Sequence, residues 1–184
     1  MDLDKVIQSR RSVRKFNNKN VDWRDIIECI DAMRYTPMAG NNFSLRFILV
    51  DSKINIEKIA KHSEQGFLSE VDYLLVIYSS TSRTLDSFGE RKKVYMRQQA
   101  GAAIQTFLLK IEEKGLSTCW IGHFPNEEKI KRLLKIPKGS EIEAVFPIGY
   151  GSDKKKSRKI ELDEVLRFND HKNKEMKRIR DIDI

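Results

Sequence analysis

The chain has 184 residues, 40% of them hydrophobic and 34% charged, with a formal net charge of +8 and a pI near 9.4. That length and apolar content suffice for one domain with a real core, while the basic balance bears on solubility and association and selects neither a fold nor an activity. Cys29 and Cys119 are too few and too far apart for a disulfide framework, and the absence of Cys-x-x-Cys or His-x-x-x-His spacing points to no metal and to a reducing compartment. There is no apolar run of signal-peptide length and none near the ~18 residues that span a bilayer, so a cytoplasmic protein with no membrane partner is expected.

In chain order, Asp2 or Asp4 can cap a short helix through Ser9. The segment SRRSVRKF (9–16) follows, loop-like, with its cations at 10, 11, 14 and 15, and NNKN after it is a turn. Asp22 stands where an N-cap belongs, and Ile26, Ile27, Ile30 and Met33 recur with helical spacing until Thr36-Pro37 stops the pattern. After the loop PMAGNN come a strand at Phe47–Val50, a helix around Ile54–His62 and an apolar strand at Val71–Tyr78. Lys93–Lys114, free of proline and ended by Gly115, predicts the longest helix, with Ala100–Ala103 small enough for close backbone approach.

Cys119–Gly122 reads as a brief strand or extended loop, Pro125 as the start of a basic amphipathic helix through Leu134, and Ile142–Tyr150 as a strand in which Pro147 points to an edge or a bulge. The last fifteen residues are too charged to pack alone, and are either a frayed tail or an arm lying on another subunit. With no internal repeat and no linker, the expectation is one α+β domain over 1–169 and an arm or tail over 170–184.

Four segments can carry chemistry. Arginine forks match phosphate oxygens and a serine hydroxyl can add a bond, so Arg10, Arg11, Ser12 and Arg14 suit an anion, although an arbitrary basic run is more often a solvated face. Gly40 permits close backbone approach and Asn41 both donates and accepts, although alone this is a turn. In TCWIGH (118–123), Cys119 has no partner base and reads as packing, and His123 is a weak proton-donor candidate against an ordinary structural histidine. KKKSRK (154–159) is by default another solvated face. Nucleic-acid binding would need aromatics interleaved with cations or a recognition helix, and the sequence makes no convincing case for either.

Taken in order, R-R-S-V-R, P-x-A-G-N before Arg-Phe and a strand, T-C-W-I-G after a small-residue helix, and P-I-G-Y-G with a downstream K-S-R resemble the nitroreductase family over about Ser9 to Phe168. The resemblance implies an α/β/α sandwich with a central, mainly antiparallel sheet, dimeric through long helices, with FMN at the interface. It implies that Arg10, Arg11, Ser12 and Arg14 meet the FMN phosphate, ribityl chain and pyrimidine edge, joined by Lys156 and Arg158, with Lys155 a substitute for Lys156. Met38, Ala39, Gly40 and Asn41 would reach the partner subunit's flavin, and amides near Ile121, Gly122 and His123 would face the N5 and O4 edge.

Met38 departs from the family's usual serine, and Phe43-Ser44-Leu45 from its Gln-Pro-Trp, which puts one flavin hydrogen bond in doubt. The implied reaction is a ping-pong oxidoreduction from NAD(P)H to an electrophilic small molecule such as a nitroaromatic, quinone or flavin, with the flavin and not a side chain carrying the chemistry. An FMN-storage protein and a specialised member such as a reductive dehalogenase are the alternatives. Segment 82–94 lies where relatives carry a variable lid.

Overall fold

In β3 (Tyr73–Ser79) Leu75 and Ile77 face one way and Leu74 and Val76 the other, all with no solvent exposure, so this strand can only be satisfied inside a sheet covered on both faces. It pairs antiparallel with β2 (Leu45–Val50) and with β5 (Glu141–Gly151), and β5 carries β1 (Phe16–Asn17) and β4 (Ser117–Thr118) on its far side, giving a five-stranded antiparallel sheet. This computed structural model describes residues 2–152 and 159–175, and the chain divides into two units, 1–154 and 155–184. The sheet belongs to the first.

One face is covered by α2 (Trp23–Ala32) and α5 (Lys92–Glu113), with Ile26, Cys29, Ala103, Ile104 and Phe107 packed on Leu75, Ile77, Ala144 and Phe146. Phe107 and Phe146 meet edge to face at 5.2 Å, and full burial of each contributes about 1.5–3 kcal/mol. The other face takes α3 (Lys53–Ser63) and α6 (Glu127–Leu133) through Ile56, Ile59 and Ile130. The α/β/α sandwich is therefore as expected. Burial pushes the Cys29 thiol up to about 12, consistent with a packing role.

Two boundaries and the setting of one proline differ from the sequence reading. α2 stops at Ala32 and tightens into a 3₁₀ turn at Met33–Tyr35 before the proline. α6 starts at Glu127, because Pro125 occupies the second position of a turn closed by the Glu127 N–H on the Phe124 carbonyl at 3.1 Å. Pro147 lies within a central strand, not at an edge: it falls between the pairs Thr118↔Ile148 and Ile121↔Val145, and its carbonyl takes the Thr118 hydroxyl at 2.6 Å. The bulge is elsewhere, where Ile77 pairs with Ala144 but Tyr78 with Ile142, leaving Glu143 without a partner in the ladder.

α1 (Leu3–Ser9) packs on α5, and α4 (Arg83–Asp86) precedes α5. In the second unit the described residues form α7 (Leu162–Val165) and a turn in which the Asp170 carboxylate accepts the N–H groups of Lys172 and Asn173.

Candidate functional site

α1 ends where the Arg10 N–H closes on the Val6 carbonyl, and the Arg11 guanidinium turns back to donate to the carbonyls of Gln8 and Arg10. A cation suits that end of a helix, where unpaired carbonyls gather. The chain then runs extended beside β4: Ser12 bridges Thr118 in parallel and the Val13 N–H donates to the Thr118 carbonyl at 2.9 Å. Val13 is buried while Ser12 and Arg14 on either side are exposed, so one apolar anchor pins the segment and turns its polar neighbours outward. The Ser152 N–H on the Lys15 carbonyl fastens it to the end of β5. Among the described residues Arg10 and Arg14 take part in no ion pair. The basic run is thus braced along its backbone, with the Arg14 and Lys15 side chains exposed.

Beyond β4 the chain alternates. Cys119 and Ile121 are buried, Trp120 and Gly122 are exposed, and Ile121 exchanges both backbone hydrogen bonds with Val145. Burial pushes the Cys119 thiol up, against the opposing pull of the Arg14 charge and the Ser12 hydroxyl, so it packs as a neutral thiol. Gly122 does not occupy the left-handed region, and a Cβ there would meet only the Trp120 indole nitrogen, at 3.7 Å. Nothing among the described residues requires glycine at this place. His123 is exposed.

The Met38–Asn41 segment has other neighbours. Gly40 and Asn41 take φ of +58° and +50°, and a Cβ on Gly40 would lie 3.1 Å from Phe88 Cζ, so this glycine has an internal cause. Next to it the Asn42 side-chain oxygen accepts the Ser82 hydroxyl at 3.1 Å, and buried Gln99 accepts both the N–H and the hydroxyl of Ser44. Pro37, Met38 and Ala39 line a cavity of about 340 Å³ with Tyr95, Gln98 and Ala102 of α5. Segment 38–44 and segment 82–94 are therefore one packed piece on the N-terminal half of α5.

Within one chain the structure brings Ser12 and Val13 beside Thr118 and Arg14 close enough to Cys119 to act on its thiol, with Arg10 at the end of α1 and Arg11 turned back to it; Ile121, Gly122 and His123 follow along the Thr118 segment, and Met38, Ala39, Gly40 and Asn41 lie in a second cluster. Lys155, Lys156 and Arg158 lie outside the described residues. Sequence reasoning passed over a charged cavity of about 550 Å³ that joins Gly122 to Arg97, Glu127, Lys131 and Glu143. Glu143 accepts the Ser79 hydroxyl at 2.5 Å, and burial raises its pKa while that bond lowers it. The one available signal was a carboxylate interrupting the apolar strand IEAVFPIGY.

The architecture is a helix-covered antiparallel sheet with a backbone-pinned cationic segment along β4. The nitroreductase family profile matches residues 7–74 and 59–150, and the chain belongs to this family of oxidoreductases. A protein of Methanothermobacter thermautotrophicus, provisionally named NADH dehydrogenase/NAD(P)H nitroreductase, is 28% identical over 157 residues, 83% of this chain and 79% of its own. The iodotyrosine deiodinase of Thermotoga neapolitana is 25% identical over 177 residues, covering 82% and 89% of the two chains. A nitroreductase family protein from Clostridium novyi superposes with a TM-score of 0.74 at 26% identity, over 94% and 96%. Among the described residues no helix is long and apolar enough to cross a membrane.

Proposed function

We propose that the protein is an FMN-dependent oxidoreductase that passes electrons from NAD(P)H to an electrophilic small molecule, a nitroaromatic, quinone or flavin, in two half-reactions at one site. The observation that carries this reading is the pinning of Ser12 and Val13 against Thr118, which holds cations that join no ion pair among the described residues along a segment leading to Gly122, a glycine with no need for its missing side chain among those residues. The donor set fits the group: Arg10 and Arg14 suit a phosphate, Ser12 suits the ribityl chain or ring carbonyl, and Gly122 and His123 offer main-chain amides to a ring edge, whereas the Ile121 N–H, expected to join them, is already taken by the Val145 carbonyl. Bound FMN would supply the redox chemistry, taking a hydride from the nicotinamide and passing two electrons on.

The protein's own part is to neutralise the phosphate, orient the ring and favour the negative charge that reduction places on it. Lys156 and Arg158 would close the phosphate site from the other end of the chain. A homodimer accounts for the second cluster, with Met38, Ala39, Gly40 and Asn41 serving the flavin of the partner. A second reading, reductive dehalogenation, draws on the likeness to the Thermotoga deiodinase.

The visible spectrum of the purified protein tests the proposal. A flavin band bleached anaerobically by NADH or NADPH, and restored by a nitroaromatic or quinone, is expected; bound flavin that neither nicotinamide reduces overturns the oxidoreductase mechanism. Turnover of a halogenated tyrosine in preference to nitroaromatics selects the second reading.

A further inference from the structure

Trp120 is a large aromatic side chain that keeps 43% of its surface exposed in a segment whose neighbours Cys119 and Ile121 keep 1% and 7%. An indole offers a flat apolar face with a polar edge, which suits it to contact another planar ring. Its ring is backed by Phe146, centroids 6.4 Å apart and planes at 43°, and Phe146 is itself buried in the sheet against Phe107, so the indole rests on a rigid floor. Strand alternation puts Trp120 and Gly122 on the same side, with the indole nitrogen over the empty Cβ position of Gly122. The two make a flat surface, half aromatic ring and half bare backbone. Arg14 lies two residues beyond the parallel Ser12↔Thr118 bridge and close enough for its charge to act on the Cys119 thiol, so a cation is held beside the segment that carries Trp120.

We propose that Trp120 is the platform on which the flavin ring stacks, so that the indole faces one side of the ring and leaves the other to donor and acceptor. The inference rests on the FMN reading given above. Trp120 acts as a positioning residue: stacking fixes the plane of the ring while the amides near Gly122 fix its edge, and the two together leave one orientation. Its backing by Phe146 means that this orientation is inherited from the hydrophobic core.

The test uses the full-length holoprotein with FMN as the probe. An indole in van der Waals contact with a photoexcited flavin transfers one electron to it and takes it back in the dark, so wild-type bound FMN should emit weakly. Trp120→Leu should bind FMN several-fold to about tenfold more weakly, the scale of an aromatic contact, and the FMN it retains should be several-fold brighter. Trp120→Phe, which keeps a ring on the Phe146 floor, should retain most of the affinity and still brighten. Trp23→Phe, at the only other tryptophan, should change neither. Bound FMN as dim in both Trp120 variants as in wild type overturns the platform and leaves the FMN reading standing, as does an affinity unchanged in Trp120→Leu. Wild-type protein that binds no FMN overturns both.

Discussion

Arg10, Arg11 and Arg14 are neighbours in sequence with different work in the structure, and replacing them separately should divide their effects. Arg10 and Arg14 join no ion pair among the described residues, and Arg14 is exposed. Their joint replacement by alanine should therefore leave folding stability within about 0.5 kcal/mol of wild type, as for ordinary surface changes. If each donates a charge-assisted bond to phosphate, its loss costs about 1.5–3 kcal/mol, at least tenfold in FMN affinity, and the pair about a hundredfold or more. Arg11→Ala should show the reverse. Its guanidinium closes the end of α1 on the carbonyls of Gln8 and Arg10, so about 0.5–1.5 kcal/mol of stability goes while FMN affinity changes little.

FMN titration followed by flavin fluorescence, paired with urea denaturation of the apoprotein, measures both quantities on the same samples. The wild-type advantage in affinity should also shrink between low and moderate salt, since exposed cations are screened beyond about 10 Å at 0.1 M. A double variant with wild-type FMN affinity refutes the phosphate assignment. An Arg11→Ala protein that loses as much FMN as the double variant refutes the division of labour.

The two glycines should separate in the same way. Gly40→Ala is expected to destabilise the fold by about 1–2 kcal/mol from the left-handed backbone alone, with the Phe88 contact adding to it, whereas Gly122→Ala should melt as wild type and hold FMN less tightly; a normal melt for the first or normal FMN affinity for the second contradicts the assignment. Glu143 has a folded pKa raised by burial, so the folded state holds its proton more tightly and stability falls as pH climbs from the ordinary glutamate range through the raised value. Glu143→Gln should remove that decline, being relatively more stable at pH 8 than at pH 4.5 in paired thermal melts, and a pH-independent difference would count against it. Removing residues 170–184 should weaken dimerisation and FMN retention together if these residues embrace the partner; a truncated protein that sediments as a dimer and keeps FMN on dilution marks them as a tail.

Local pattern was enough for the elements whose signals are local. The apolar run of β3, the Asp22 cap of α2 and the glycine stop after α5 each depend on residues within a few positions, and β3, the start of α2 and both ends of α5 fell within a residue or two of where they were read. The order of the motifs likewise carried the family. What the chain could not disclose along its length was which segments meet. Val13 reaches Thr118 and Lys15 reaches Ser152, each across more than a hundred positions, and these contacts brace the basic run. Gly40 and Gly122 look alike in sequence, yet one is required by its own backbone angle and Phe88 while the other is not, a distinction set by neighbours from distant segments. Pro147 misled for the same reason: its missing N–H is harmless inside a central strand because the ladder on that side is interrupted between β4 and Ile121. Short-range forces set elements, and chain crossing in three dimensions decides which side chains are left facing a ligand.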